Sequence, residues 1–126
     1  MSLKVWVVDD DDSIRWVLER ALPSSGLDGQ AFAGGIEMLD ALEEDQPDVV
    51  ITDIRMRGID GLELLSRVHA VNAELPVIVM TAHSDLDAAV AAYKGGAFEY
   101  LPKPFDVDEA VELVQRAARS REREAA

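Results

Sequence analysis

The sequence contains no cysteine, which excludes a disulfide framework and any metal site built from thiolates. It has no apolar run near the ~18 residues that a membrane-spanning helix needs, and its first residues lack the core of a signal peptide. We therefore expect a soluble protein of the cytoplasm that makes no membrane contact. At 126 residues the chain is long enough to bury about two thirds of its unfolded surface, so it can fold as one domain without cross-links.

Positive charge is also scarce. The chain has 12 lysines and arginines against 25 aspartates and glutamates, which gives a formal net charge of −13. Affinity for nucleic acid depends on neutralising phosphates with lysine and arginine, so we expect no direct contact with DNA or RNA. Several of the basic residues alternate with glutamates near the end of the chain, as in a solvated helix end. These residues are Arg116, Arg119, Arg121 and Arg123.

The apolar residues follow a regular alternation along the chain. Apolar runs, with a shorter segment at 30–33, predict strands at 5–8, 30–33, 49–52, 77–80 and 98–101. After each strand, apolar residues spaced i, i+3, i+4 and i+7 predict an amphipathic helix. Such an alternation is typical of a parallel sheet covered on both faces, so we expect a doubly wound α/β fold.

Two helix starts have recognisable caps. Ser84 with Asp87 predicts a capping box at the start of the fourth helix, and Gly95-Gly96 predicts a left-handed end. Asp106 with Glu109 predicts a cap on the fifth helix. The apolar pattern of the fourth helix comprises Leu86, Ala89, Val90 and Tyr93.

Polar residues follow four of the predicted strands at the same end. The first strand ends on the acidic run 9–12, the third on Asp53 and the fourth on Thr81, and the fifth leads into Lys103. Ligands of parallel sheets bind at the carboxyl ends of the strands, near the point where the winding reverses. We therefore expect these side chains to form one site.

The residue types at this edge suit phosphoryl transfer. A carboxylate at a strand end can attack phosphorus and hold it as an acyl phosphate, which makes Asp53 the candidate nucleophile. We expect Mg²⁺ to bind Asp10 and Asp53 directly and Asp9 through water. Lys103 would pair with the phosphoryl group, and the Thr81 hydroxyl would donate to one of its oxygens.

Each of these residues also has a structural interpretation. An acidic run at a helix start commonly caps the helix and complements its dipole, and we assign that role to Asp11 and Asp12. Taken alone, Asp53 could be a turn residue, Thr81 a structural hydroxyl and Lys103 a solvated charge. Their convergence on one sheet edge favours a functional site.

These residues make the chain resemble the receiver domain of bacterial two-component response regulators over nearly all of residues 4–118. We assign 4–119 to this domain, 1–3 to a disordered start or a cloning remnant, and 120–126 to a helix end or linker. The motifs of the resemblance are the pair Asp9-Asp10, Asp53, Thr81 followed by Ala82, Tyr100, and Lys103-Pro104.

A narrower resemblance rests on three segments, 13–22, 81–90 and 97–106. They are similar to receivers of the nitrogen regulatory protein C (NtrC) family, which activate sigma-54-dependent transcription. Full-length members carry an ATPase domain and a helix-turn-helix domain, and this chain has neither a Walker-type loop nor a basic recognition helix. The resemblance therefore implies a regulatory domain whose output lies in other segments.

The resemblance implies a (βα)5 flavodoxin-like fold with strand order 2-1-3-4-5. It implies transfer of a phosphoryl group from a sensor histidine kinase to Asp53, with Mg²⁺ bound by Asp9, Asp10, Asp53 and the Arg55 backbone carbonyl. The domain would be a regulatory phosphoacceptor, not an enzyme, and would catalyse its own phosphorylation and dephosphorylation.

The resemblance also implies how the signal leaves the site. The backbone N–H of Ala82 would contact the phosphoryl group, and Thr81 and the switch aromatic Tyr100 would move on phosphorylation. The moving face would then mediate a homodimer or a higher oligomer. Through this change the protein would regulate transcription in nitrogen assimilation.

One departure and two alternatives stand beside this interpretation. The family commonly has proline at position 57, where this chain has arginine, and we expect a looser loop after the third strand or an altered dephosphorylation rate. An aspartyl-phosphate hydrolase of the haloacid-dehalogenase type would need aspartate at position 55, which is Arg55 here. A phosphate-independent interaction module is the other alternative, and the intact set of site residues disfavours it.

Overall fold

The computed structural model describes residues 3–82 and 84–125, which form five strands alternating with five helices. The strands are β1 (Lys4–Val8), β2 (Asp28–Phe32), β3 (Val49–Asp53), β4 (Val77–Ala82) and β5 (Glu99–Lys103). The helices are α1 (Asp12–Ser24), α2 (Gly35–Leu42), α3 (Gly61–Val71), α4 (Leu86–Lys94) and α5 (Val107–Ala125). Of the expected disordered start, residues 1–2 lie outside the described part, while Leu3 packs against the core.

The strands form one parallel sheet in the order β2-β1-β3-β4-β5, which confirms the predicted doubly wound, flavodoxin-like fold. Helices α1 and α5 cover one face, and α2, α3 and α4 cover the other. The winding reverses between β1 and β3, so the crevice at the carboxyl ends of these strands is the expected ligand position.

The central strands are buried on both faces, which explains their continuous apolar sequences. Side chains alternate along β1: Val5 and Val7 pack under α1 and α5, and Trp6 and Val8 pack on the opposite face. Each such buried side chain stabilises the fold by roughly 1.5–3 kcal/mol. Because a shift by one residue would exchange the two faces, this packing sets the register and places the residues after β1 beside the end of β3.

Helix α4 starts differently from the prediction. Its N-cap is Asp85, whose carboxylate accepts a hydrogen bond from the Ala88 N–H at 3.4 Å, so the expected capping box of Ser84 and Asp87 is wrong. At the other end, Gly96 adopts the left-handed conformation with φ 102°, which confirms the expected helix stop.

The packed face of α4 consists of small residues. Ala88, Ala89 and Ala92 are buried, whereas Leu86, Val90 and Tyr93 are between 42% and 64% exposed. Only Ala89 of the four residues in the predicted apolar pattern therefore joins the core. Alanine on the inner face lets α4 approach the sheet closely and leaves an apolar stripe facing solvent.

The starts of α1 and α5 agree with their sequence signals. Asp11 caps α1 by accepting a hydrogen bond from the Ser13 N–H at 2.8 Å, as expected for this part of the acidic run. At α5, the Asp106 N–H donates to Glu109 at 3.3 Å, which is one half of the predicted capping box.

Within the described residues, no helix is both long and apolar enough to cross a membrane.

Candidate functional site

Three carboxylates meet at the carboxyl edge of the sheet. Asp9 and Asp10 follow β1, and Asp53 is the last residue of β3. One oxygen from each lies within 4.8 Å of the other two, and Asp9 and Asp53 are buried. Each pair of charges at this separation repels by about 3 kcal/mol at an effective dielectric near 20, so the arrangement needs cations.

Lys103 supplies one of these cations from the end of β5. Its Nζ lies 2.9 Å from Asp9 Oδ2 and 3.2 Å from Asp53 Oδ1, so a single ammonium bridges two of the three carboxylates. The Lys103–Pro104 peptide bond is cis, one of the two isomers that the sequence leaves open. The structure thus brings together residues from the first, third and fifth strands, as the strand-end pattern predicts.

The environment shifts the titration of both Lys103 and Asp53. Burial acts to lower the pKa of Lys103, but its hydrogen bond to Asp9 and the attraction of Asp9 and Asp53 outweigh burial and raise it. Burial and the neighbouring Asp9 charge raise the pKa of Asp53, against the opposing effect of Lys103. Ionised Asp53 is therefore under electrostatic strain that a bound cation would relieve.

Asp10 has a different cationic partner, which the sequence reasoning missed. Its Oδ2 accepts a hydrogen bond from the Arg57 backbone N–H at 3.1 Å and lies 3.5 Å from Arg57 Nε. The hydrogen bond and the guanidinium charge lower the pKa of Asp10. Arg57 thus ties the loop after β3 to Asp10, and the expected looser loop or altered dephosphorylation rate stays a prediction.

The hydroxyl of Thr81 is a further polar group at this edge. Thr81 is 3% exposed, and its Oγ1 has no hydrogen-bond partner within residues 3–82 and 84–125. Leaving a buried hydroxyl unpaired costs about 1–3 kcal/mol. Thr81 and Ala82 lie opposite Pro102 and Lys103 of β5, so a ligand beside Lys103 could accept a hydrogen bond from the Thr81 hydroxyl.

Tyr100 belongs to β5 and contacts α4. Its ring packs edge to face on Tyr93, with 5.8 Å between the ring centroids, and its backbone N–H donates to the Tyr93 hydroxyl at 3.3 Å. The Tyr93 hydroxyl in turn donates to Glu99. Tyr100 is therefore a contact between α4 and the sheet and does not touch the carboxylate cluster through these bonds.

Arg55 connects the loop after β3 to the start of α4. Its guanidinium pairs with Asp85 Oδ2 at 2.9 Å, and Asp85 is the N-cap of α4. The sequence reasoning assigned a role only to the backbone carbonyl of Arg55. The two partners are 30 residues apart in the sequence, so no local sequence pattern predicts this ion pair.

The start of α3 presses against the backbone of Asp53. A Cβ atom at Gly61 would lie 2.3 Å from the Asp53 carbonyl oxygen and 2.8 Å from the Ile54 Cα. The Gly61 N–H donates to the Ile54 carbonyl oxygen at 2.9 Å. Glycine is therefore the residue that this close approach permits.

The donor set suits a hard divalent cation. Asp9, Asp10 and Asp53 offer only carboxylate oxygens, which are the ligands that Mg²⁺ and Ca²⁺ prefer. Three carboxylates with two cationic partners, Lys103 and Arg57, also leave a net negative charge that favours a bound cation. The residues present thus fit a divalent metal. The bridging Lys103 and the nearby Thr81 hydroxyl, which is unpaired among the described residues, fit an added anion.

Comparison with known proteins gives a consistent result. The family described as "Response regulator receiver domain" matches residues 5–115. The DNA-binding transcriptional regulator NtrC of Escherichia coli K12 is 65% identical over 113 residues, covering 90% of this chain and 24% of the relative. The chain thus spans about a quarter of the length of the curated relatives it matches.

Solved structures show the same likeness. The apo receiver domain of nitrogen regulatory protein C, solved in solution, has 63% sequence identity and a TM-score of 0.83, covering 92% of this chain and 94% of the other. A putative response regulator from Chloroflexus aurantiacus J-10-fl has 34% identity and a TM-score of 0.89, covering 94% and 98% of the two chains. Both likenesses extend over nearly the whole fold.

Proposed function

The chain belongs to the response regulator receiver domain family, and we propose that it accepts a phosphoryl group on Asp53 from a sensor histidine kinase. Phosphorylation would change its conformation and thereby regulate sigma-54-dependent transcription in nitrogen assimilation, in the cytoplasm. The supporting observation is a buried aspartate at a strand end, 3.2 Å from a lysine and beside two further carboxylates. It would act as a regulatory phosphoacceptor, not as an enzyme turning over a separate substrate.

We assign Mg²⁺ to the carboxylate cluster. Asp10 and Asp53 would bind it directly, Asp9 through water, and Arg55 through its backbone carbonyl. When bound, the ion would supply positive charge that offsets the charge of the carboxylates and of the transferred phosphoryl group. The oxygen-only donor set and the raised pKa of Asp53 support this assignment.

The remaining chemistry belongs to the side chains of the chain. Asp53 attacks phosphorus, the bond from phosphorus to the kinase histidine nitrogen breaks, and its electron pair stays on the imidazole. Lys103, held in place by Asp9, pairs with the transferred group. The Thr81 hydroxyl and the Ala82 backbone N–H each donate to a phosphoryl oxygen. Their positions at the edge beside Lys103 support these roles.

The response would pass from Thr81 to Tyr100 and α4. Shifting the equilibrium between the unphosphorylated and phosphorylated conformations from 1:99 to 99:1 needs roughly 5.5 kcal/mol of differential stabilisation. Several charge-assisted hydrogen bonds to the phosphoryl group can supply it. The exposed apolar residues Leu86, Val90 and Tyr93 of α4 support a homodimer or higher oligomer through this face of the helix. In a full-length protein the ATPase and DNA-binding domains would provide the output, and this domain would contact neither nucleic acid nor membrane.

The test of this function is the intact mass of the protein after incubation with acetyl phosphate. With Mg²⁺ we expect one phosphoryl adduct, located at Asp53 by borohydride reduction and peptide mass spectrometry. With excess EDTA we expect none, because the negative cluster would repel the incoming phosphate. A folded protein that gains no adduct would instead be a phosphate-independent interaction module.

We expect Thr81→Ala to accept phosphate but to respond weakly. The variant lacks the hydroxyl that would be drawn to the phosphoryl oxygen, so amide chemical shifts of α4 and Tyr100 should move less on addition of acetyl phosphate and Mg²⁺. Its unfolding free energy should change by less than about 1 kcal/mol, because removing a hydroxyl that is unpaired among the described residues offsets the lost packing of the γ-methyl group. Thr81→Ser keeps the hydroxyl and serves as the control. A wild-type shift response in Thr81→Ala would contradict the assigned role.

A further inference from the structure

The loop after β3 places a positive charge and a backbone donor on the same oxygen of Asp10. The Arg57 N–H donates to Asp10 Oδ2 at 3.1 Å, and Arg57 Nε lies 3.5 Å from that oxygen. We propose that Arg57 is a displaceable clip on Asp10 that competes with Mg²⁺ for this carboxylate and weakens metal binding. This inference rests on the proposed metal site and adds a residue that regulates its occupancy.

The distribution of charge in the cluster supports a competing role. Lys103 bridges Asp9 and Asp53, and it forms no ion pair with Asp10. Among the described residues, the ion pair of Asp10 is with Arg57. Each carboxylate of the cluster therefore has a protein cation in the metal-free state. A divalent ion at Asp10 would meet one positive charge that is already in place.

The clip can open because it lies on the solvent side of the cluster. The side chain of Arg57 is 89% exposed, and Asp10 is the least buried of the three carboxylates. Lys103, by contrast, is held between two buried carboxylates. The guanidinium can therefore move into water when a metal ion binds, whereas the ammonium stays beside Asp9 and Asp53.

The contact has two parts that substitution can separate. Arg57→Ala removes the guanidinium and keeps the backbone N–H, while Arg57→Pro removes both. The guanidinium is exposed, so its effect should be modest and screened by salt. The N–H bond is directional and should persist at high salt.

The experiment is a calorimetric titration of the unphosphorylated chain with MgCl₂ at low and high ionic strength. We expect Arg57→Ala to bind Mg²⁺ about threefold more tightly than wild type at low salt, with the difference shrinking at high salt. Arg57→Pro should bind about tenfold more tightly, because it also lacks the competing hydrogen bond. Circular dichroism establishes whether each variant is folded. If Arg57→Pro does not fold, Arg57→Ala alone tests the contribution of the guanidinium.

Arg67→Ala is the matched control. It removes the same charge from α3, where Arg67 Nε lies 2.9 Å from Glu63 Oε2 and forms an ion pair with it. Its Mg²⁺ affinity should equal that of wild type, and an increase matching Arg57→Ala would mean that net charge alone is responsible. As a second readout, the amide resonance of residue 57 should shift as Mg²⁺ displaces the hydrogen bond in the wild-type chain.

The outcomes separate the clip from the proposed function. Unchanged or weaker Mg²⁺ binding in folded Arg57 variants, with the phosphoryl adduct still formed, would overturn the clip and leave the phosphoacceptor intact. If the wild-type chain binds no Mg²⁺ and forms no adduct, the metal site and the proposed function fail together.

Discussion

Asp53→Asn is expected to abolish the phosphoryl adduct and to make the metal-free protein more stable. The amide cannot serve as the nucleophile, so acetyl phosphate should leave the variant unmodified. Burial and the Asp9 charge raise the pKa of Asp53, so its ionisation disfavours the folded state. Removing the charge relieves repulsion from Asp9 but also loses the attraction of Lys103, and we expect a net gain of about 1 kcal/mol at pH 7.

The pH dependence has a definite sign. A carboxyl whose pKa is raised on folding leaves stability intact below its unfolded pKa and reduces it as the pH rises through the folded pKa. The advantage of Asp53→Asn should therefore be largest near pH 7 and shrink in acid. Urea denaturation in EDTA at several pH values measures it. Asp40→Asn, which removes an exposed carboxylate on α2, is the control. Lower stability of Asp53→Asn at pH 7 would show that the lysine attraction dominates.

Lys103→Met should have the opposite effect on stability. Without the ammonium, buried Asp9 loses its bond to Nζ at 2.9 Å and faces Asp10 and Asp53 with the charge uncompensated. Removing one partner of a buried ion pair costs about 3–5 kcal/mol, and we expect about 3 kcal/mol because Asp9 keeps its hydrogen bond from the Asp11 N–H. The phosphoryl adduct should also form more slowly, since the transferred group loses its ammonium partner.

The pH and metal responses identify the cause of that loss. Because the pKa of Lys103 is raised on folding, its stabilisation is fully present below the unfolded pKa and disappears only as the pH rises through the folded pKa, in strong alkali. The deficit of Lys103→Met should shrink in acid, where Asp53, whose pKa is raised by burial and the Asp9 charge, binds a proton, and when Mg²⁺ is added. Lys94→Met removes an exposed lysine of α4 and is the control. A deficit that ignores both pH and Mg²⁺ would indicate lost packing of the lysine chain.

Much of the fold and site follows from patterns that have one physical interpretation. The apolar runs of β1, β3 and β4 are buried on both faces, which is the environment that such runs predict. Once the strands are parallel, their carboxyl ends must share an edge, so Asp9, Asp53 and Lys103 are brought together by topology. The sequence order of strands and polar residues is sufficient for that inference.

The face of α4 could not be chosen in the same way. Its alanines and its larger apolar residues form two stripes, and helical periodicity does not say which one packs when both are apolar. The large residues Leu86, Val90 and Tyr93 remain exposed because the alanines fit closely against the sheet. Volume and distance, which are properties of the assembled fold, decide between the stripes.

The contacts of Arg55 and Arg57 were hidden for another reason. The Arg57 bond to Asp10 uses a backbone N–H, a group that every residue except proline carries, so the sequence holds no distinctive signal for it. The Arg55 pair with Asp85 joins two loops whose distance depends on the positions of β3 and β4. Such contacts can be predicted only after the loops have been placed.

The close approach at Gly61 makes the two sides of the site unequal. The carbonyl of Asp53 leaves room for a hydrogen atom but not for a methyl group at the start of α3, so a shift of Asp53 would require a shift of that helix. On the opposite side, the Thr81 hydroxyl has no hydrogen-bond partner among the residues that the structure describes. Substitutions meant to alter the proposed response should therefore be made on the β4 and α4 side, because a larger residue at position 61 would displace Asp53 itself.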